Sequence, residues 1–334
     1  MNALLERLYA GVSLSRDDST ALFERVLEGH ATPVEMTALL VALKAKGECP
    51  DEIAGAAVAM RARAVPFPRP DYAFADTCGT GGSGTGTLNV STAVAFALAE
   101  CGLPVAKHGN RAVSSRSGSA DVLEALGMRL DPSPAVSRSM LDETGFCFLF
   151  APAYHQGVAH AMPVRKALGT RTIFNLLGPL AHPAAPPVQL LGVYDASLCR
   201  PLAETLRQLG CTTALVVHGE VDEIALHGPT RVARLSDGRI DELELHPEDA
   251  GIAPRPLAAI EGRDAAHNAA ALRRLLAGDG DAAYADAVAL NGGALLWVTG
   301  RAESFAAGCA AVHEALASGR AAIRLKRAVE LSHG

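Results

Sequence analysis

Between Asp76 and Thr92 the chain reads Asp-Thr-Cys-Gly-Thr-Gly-Gly-Ser-Gly-Thr-Gly-Thr-Leu-Asn-Val-Ser-Thr, with Gly79, Gly81, Gly82, Gly84 and Gly86 spaced through it. Glycine lets the main chain take positive φ angles and approach a ligand closely, with its N–H groups exposed. Asn89, Ser91 and Thr92 then fall where the next helix should begin. Unpaired N–H groups and the positive end of the helix dipole favour an anion there. The pattern is that of a phosphate or diphosphate cradle. A P-loop would need Gly-Lys-Ser/Thr after the last glycine, and none is present. A dinucleotide fingerprint would open directly into a helix, whereas this loop runs on through Asn89. A glycine-rich turn without a ligand is the alternative for this loop alone.

A second segment, Lys107-His108-Gly109-Asn110-Arg111-Ala112-Val113-Ser114-Ser115-Arg116-Ser117-Gly118-Ser119, follows the strand-like LPVA and ends where DVLEALG starts a helix. Lysine, two arginines and four serines lie within 13 residues, at the strand end where open α/β sheets bind ligands. Alone it reads equally well as a solvated basic loop; after a first cradle it reads as a second anion-binding loop. A third element, Val217-His218-Gly219-Glu220-Val221-Asp222-Glu223, sets adjacent carboxylates at a strand end. Such acids are usually solvated, but beside a diphosphate they suit magnesium, which prefers oxygen ligands and retains water. No GxSxG motif and no cysteine–histidine arrangement stands out, so no nucleophile is assigned.

These loops need a scaffold, and the flanking sequence describes one. Residues 2–64 show helical spacing throughout, in ALLERL, STALFERVLEG, TPVEMTALLVALKAKG and PDEIAGAAVAMRARA. Pro33 and Pro50 suit first turns, while Gly29 and Gly47 suit helix ends. PFPRP at 66–70 reads as a linker. From residue 72, short apolar runs ending in glycine alternate with helices, which predicts a mainly parallel sheet covered by helices. Residues 224–246 read as strands joined by turns, and the chain is helical again from about 267. The expected fold class is α/β: a small all-helical N-terminal domain over 1–70, joined by part of 162–185, and a large α/β domain over 71–334 carrying the site.

At 334 residues, with 49% hydrophobic and 20% charged residues, there is ample material for a core. Aromatics are only 4%, so helices must pack through small side chains. The net charge of −6 argues against a nucleic-acid partner, because no basic stripe is present. Seven scattered cysteines without CxxC spacing read as reduced thiols. MNALLERLYAG reads as an amphipathic helix rather than a signal peptide, and no apolar stretch reaches membrane-span length. The expectation is a cytoplasmic protein with no membrane partner.

GTGG at 79–82, NVST at 89–92, KHGNRAVSSRSGSADVLEALG at 107–127, RTIFNLLGPL at 171–180 and VHGEVDEI at 217–224 together resemble the anthranilate phosphoribosyltransferases. The resemblance spans essentially the whole chain. It implies a nucleoside phosphorylase/phosphoribosyltransferase-like fold, a homodimer joined through the small domain, and transfer of phosphoribosyl from PRPP to anthranilate in tryptophan biosynthesis. It further implies that Gly79, Gly82, Ser83 and Thr87 line the PRPP site, with Asn89, Val90, Ser91 and Thr92 on the diphosphate. Lys107, His108, Gly109, Asn110, Arg111, Ala112, Val113, Ser114 and Ser115, then Ser119, would cover the phosphoribosyl part. Ser91, Asp222 and Glu223 would serve two magnesium ions. Gly79, His108, Asn110 and Arg165 would meet anthranilate, the Arg165 fork pairing with its carboxylate. Lys107 and Arg165 would stabilise the transition state.

Three positions depart from the family pattern. Ser83 stands where GTGGDG has aspartate, and Gln156-Gly-Val-Ala-His160 replaces Pro-Ala-Met-Lys after Tyr154-His155. Asn291-Gly-Gly replaces a run of small residues, where packing is expected. The first two leave room for another amino-substituted aromatic acid as acceptor. A pyrimidine nucleoside phosphorylase leaves RTIFNLLGPL unexplained. A non-catalytic homologue binding a phosphometabolite or nucleic acid would have lost Asp222, Glu223 or Arg165, and all three are present.

Overall fold

The computed structural model of the chain describes residues 1–81, 86–112 and 116–334. It opens with four helices, α1 (Asn2–Tyr9), α2 (Arg16–Leu27), α3 (Pro33–Lys46) and α4 (Pro50–Ala62). Local chemistry sets their starts. Ser15 accepts from the Asp18 N–H, Thr32 and Glu35 form a capping box, and Pro33 sits in the first turn of α3. The buried Glu52 carboxylate accepts from the Leu14 and Cys49 amides, both at 2.9 Å, and pairs with Lys46 at 2.9 Å. One side chain thereby fixes the entries to α2 and α4 and the end of α3.

Seven strands form one sheet: β1 (Ala75–Gly79), β2 (Val105–Gly109), β3 (Phe146–Phe150), β4 (Val188–Gly192), β5 (Thr213–His218), β6 (Thr230–Ser236) and β7 (Arg239–Leu245). Their order is β3-β2-β1-β4-β5-β6-β7. The first five of that order are parallel, and β6 and β7 add an antiparallel hairpin turned at Asp237-Gly238, both with positive φ. The chain winds outward from β1 through β2 to β3, then returns to the far side of β1 with β4. The carboxyl ends of β1 and β4 therefore mark the point where winding reverses, the expected ligand crevice of such a sheet.

The remaining helices are α5 (Val90–Glu100), α6 (Ser119–Ala125), α7 (Pro134–Thr144), α8 (Ala151–Tyr154), α9 (Met162–Leu168), α10 (Phe174–Leu180), α11 (Cys199–Gln208), α12 (Ala265–Leu276), α13 (Ala282–Val298), α14 (Phe305–Ala317) and α15 (Arg320–Ser332). Two hydrophobic cores lie among these elements. One centres on α5 and α13 and the strands beneath them, with the Phe96 and Phe146 rings stacked at 4.1 Å. The other joins Phe23, Leu39 and Leu43 of the helical bundle to Phe174 and Leu177 of α10, Leu202 and Leu206 of α11, and Leu191 and Val216 on the opposite sheet face. The bundle thus completes its core against the sheet. Among the described residues no helix is long and apolar enough to cross a membrane.

Scarcity of aromatics is met by backbone-to-backbone packing. A Cβ on Gly293 of α13 would lie 2.4 Å from the Cys309 amide nitrogen of α14, and one on Gly308 would lie 2.3 Å from Gly293 O. Gly293→Ala should therefore overpack this crossing and cost about 1–3 kcal/mol, read as a lower urea midpoint at unchanged slope. An unchanged midpoint would show that α13 and α14 have room to separate.

Candidate active site at the carboxyl edge of the sheet

Gly79 and Gly192 are register partners at the ends of β1 and β4. Asp222 lies directly over them: a Cβ on Gly79 would stand 2.4 Å from Asp222 Oδ2, and one on Gly192 only 1.6 Å from Asp222 O. Glycine at both positions is what lets the acid turn settle onto the sheet edge. Asp222 Oδ2 also accepts from Gly81 N at 3.1 Å, which ties the acid turn to the glycine loop. The end of the turn is fixed from behind by α13, where Asn291 accepts from Ile224 N at 2.9 Å and donates to Ile224 O at 3.1 Å.

At the head of α5, the Asn89 side chain caps none of the first-turn N–H groups. It donates to Ser117 O and accepts from the buried Asn268 of α12 at 2.9 Å, while Tyr284 OH donates to its carbonyl. The helix start is thus held from two sides, and at its dipole end the Ser91 N–H meets the Glu223 carboxylate, which shows that this end accepts an anionic group. Thr87 forms an isolated bridge with Glu261, and the flanking Leu88 N and Gly262 N donate to Ile260 O and Gly86 O. The second loop is closed by Asp121, whose carboxylate accepts from Ala112 N at 2.9 Å and Gly118 N at 2.8 Å.

Lys107 lies beneath this edge, only 2% exposed, with Nζ donating to Thr77 O and to Ser91 Oγ at 3.1 Å. Burial pulls its pKa down, and the charges of Asp76, Glu223 and Asp222 work against that pull. Burial and the like charge of Asp222 push the Glu223 carboxyl well up, with Lys107 and the Ser91 amide opposing. An acid pair held at such cost is a ready site for a hard cation. Among the described residues no three histidine, cysteine or acidic side chains converge as a metal cage. An ion here would complete its shell from water and ligand oxygens, as magnesium does.

The opposite wall is built on α10. The His108 ring hydrogen-bonds Gly178 O through Nδ1 at 3.0 Å, so Nδ1 carries the proton and Nε2 faces away as an acceptor. The rings of His155 and His182 stand 5.2 and 5.5 Å from it. Burial lowers all three pKa values, well down for His108 and to about 4 for His155. The cluster is neutral at neutral pH and buried, His182 completely, as an aromatic layer under the end of α10. At the other end of α10 the Arg165 guanidinium lies over the Phe174 ring, 5.1 Å from its centroid. Among the described residues no carboxylate lies within 4 Å of Arg165, which keeps it available for an acidic ligand.

The structure therefore gathers Gly79, Thr87, Asn89, Val90, Ser91, Thr92, Lys107, His108, Gly109, Asn110, Ala112, Ser119, Asp222 and Glu223 along one edge, with Arg165 across α10. Gly82, Ser83, Val113, Ser114 and Ser115 lie outside the described residues. Arg111 turns outward and forks onto Glu124 at 2.7 and 2.8 Å. In the altered 156–160 segment, Gly157 and His160 pack on Leu27 and Gly29 at the end of α2. Sequence reading gave no role to Asp76, Asp121, His182, Gln189, Gly192 or Asn268, and took Asn291 for packing alone. Only Gly192 carried a visible signal, as the glycine that ends a strand.

Comparison with known proteins places the whole chain. Residues 2–64 match the helical bundle domain of a glycosyl transferase family, and residues 71–322 match its a/b domain. An anthranilate phosphoribosyltransferase of Sorangium cellulosum is 62% identical over 333 residues, covering 99% of this chain and 96% of that protein. The crystal structure of the Thermus thermophilus anthranilate phosphoribosyltransferase superposes with a TM-score of 0.94 at 42% identity, over 99% of both chains. The Saccharomyces cerevisiae enzyme in complex with PRPP and Mg gives 0.89 at 26% identity, over 98% of this chain and 96% of that one. Similar in sequence and in fold along its whole length, the chain belongs to the anthranilate phosphoribosyltransferase family.

Proposed function

We propose that the chain transfers the phosphoribosyl group of PRPP to the amino group of anthranilate, giving N-(5-phosphoribosyl)anthranilate and diphosphate in tryptophan biosynthesis. The observation that carries this reading is the pairing of two unlike walls. An anion-accepting edge of helix N-terminus, glycine loop and acid pair adjoins, through β2, a neutral and buried histidine cluster that α10 links to an arginine free of any carboxylate among the described residues. The first suits a diphosphate with its cation, and the second suits an aromatic acid.

Displacement of diphosphate from the anomeric carbon leaves positive charge on the ribose and negative charge on the leaving group. Asp222 and Glu223, with the Ser91 hydroxyl, would hold magnesium, and we infer two ions. The bound ion would neutralise charge on the departing diphosphate. Lys107 works from below, donating to Ser91 and opposing with its charge the burial that pushes the Glu223 carboxyl up. The first turn of α5 supplies oriented dipoles to the leaving group. Arg165 grips the acceptor carboxylate and so points the amine at the ribose. The aromatic amine is a weak base and attacks neutral; the anilinium formed as the C–O bond to diphosphate breaks is acidic and gives its proton to the departing diphosphate or to water, so the step needs no assigned general base.

The division into 1–70 and 71–334 and the cytoplasmic location are part of the same reading, as is the homodimer. In support of the dimer, α1 and α3 bound an apolar groove of about 540 Å³ that includes Tyr9, Val34 and Val41. Val34 is 79% exposed and Tyr9 56%, a surface suited to a second copy.

Loss of anthranilate fluorescence with PRPP and magnesium tests the reaction directly. Magnesium-dependent loss is expected, with Arg165→Ala raising the anthranilate KM about tenfold or more. Tight PRPP binding without turnover would point to a different acceptor. Asn291→Ala, which frees the Ile224 amide behind the acids, should raise the magnesium concentration for half-maximal rate by about tenfold. An unchanged requirement would separate that turn from the metal. Light scattering should give twice the 34.6 kDa chain mass, and Val34→Glu with Val41→Glu should give the monomer. A wild-type monomer at micromolar concentration would remove the dimer from the reading.

A further inference from the structure

The carboxyl end of α10 is held in an unusual way. Its last carbonyls are each taken by a side chain from a different element. Gly178 O accepts from His108 of β2, and Pro179 O accepts from Gln189 Nε2 of β4 at 2.9 Å. Leu180 O accepts from Arg61 Nε of α4 at 2.8 Å, and the Ala181 carbonyl lies against the His155 ring together with that of Met60. Arg61 also donates from Nη1 to Leu209 O at 3.2 Å, at the end of α11. Among the described residues no carboxylate lies within 4 Å of Arg61, and burial, with the like charges of Arg16 and Arg69, pulls its pKa down to about 10. A half-buried guanidinium without an acid is here compensated by the negative ends of two helix dipoles.

This arrangement has a direction. Arg61 belongs to the helical bundle, whereas His108 belongs to the sheet edge. They share one rigid turn of α10, with Leu180 two residues beyond Gly178. Where Arg61 holds Leu180 O sets where Gly178 O stands, and Gly178 O decides which His108 nitrogen carries the proton.

We propose that Arg61 is a positioning residue for the acceptor site: by clamping the end of α10 from the helical bundle, it fixes the Gly178 carbonyl and so the tautomer and orientation of His108. The kinetic half of this proposal rests on the reading of His108 as an acceptor-site residue. The tautomer half does not. Gln189 is a second, sheet-borne hold on the same turn, so removing Arg61 loosens α10 without freeing it.

Two readouts test the proposal on Arg61→Met and on Arg61→Lys, which keeps the charge but cannot reach both carbonyls as a fork. In the protein labelled with 15N-histidine, the His108 signal is identified by its loss in His108→Gln. It should show the Nδ1–H tautomer in the native protein and a mixture in Arg61→Met, with Arg61→Lys between them. His182, held by Ala106 O at 2.7 Å and Ala184 N at 3.0 Å, should keep its Nε2–H form throughout. The anthranilate KM should rise on the order of tenfold in Arg61→Met, with the PRPP KM changed less than about twofold. A His108 signal unchanged in both variants overturns the proposal whatever the turnover. Equal changes in both KM values would assign Arg61 to general stability instead. If the native protein does not use anthranilate, the tautomer measurement still decides the positioning role.

Discussion

A buried ammonium organises this protein. Lys107 sits under the carboxyl edge of the sheet with Asp76 on its own level and Asp222 and Glu223 above, so one cation faces three acids. Burying such charges is tolerable only if they compensate one another. The remaining excess of negative charge is relieved either by a proton on Glu223, whose carboxyl burial pushes well up, or by a cation that arrives from the crevice. Removing the ammonium would leave the acids uncompensated, and removing the acids would strand the ammonium. The scaffold around them is correspondingly rigid: Asn291 holds the acid turn from behind, Gly81 ties it in front, and Asn89 is locked by Asn268 and Tyr284.

Close approach is the second constraint. Asp222 reaches the sheet edge because Gly79 and Gly192 carry no side chain there. The same economy recurs at Gly109, where a Cβ would stand 2.5 Å from Ser119 Oγ, and at the crossing of α13 and α14. Small residues place main chain against main chain, and main-chain dipoles then take the part that charged side chains play elsewhere. The ends of α5 and α10 show the two signs of that effect, one presenting the Ser91 N–H to the Glu223 carboxyl and the other presenting carbonyls to His108, Gln189 and Arg61.

Much of this was legible in the sequence, for a physical reason. Glycine loops, cation-rich loops and adjacent acids are local patterns, and each follows a strand whose end falls on one edge once the strands are parallel. Helical spacing likewise marked the opening bundle. What stayed hidden depends on partners far apart in the chain. Asp76 reads as one strand residue until Lys107 lies beside it, and His182 reads as a stray histidine until it stands 5.5 Å from His108. Asn291 looked like packing because its partner, Ile224, is 67 residues away. Arg111 reads as part of the cation-rich loop, and its pairing with Glu124, one helix further on, is invisible until the helix is placed.

The core shared by the helical bundle and one sheet face has an evolutionary corollary. Phe23 and Leu39 are covered by Phe174, Leu177 and Leu202, which the chain supplies more than a hundred residues later. The bundle is therefore not a detachable module, although a family description can delimit it at residue 64. A recombination event that exchanged the first 64 residues alone between distant relatives would import half of an interface. Inheritance of the bundle must carry α9, α10 and α11 with it, so drift in the amino-terminal helices is bound to drift in the very segment that presents its carbonyls to the histidines.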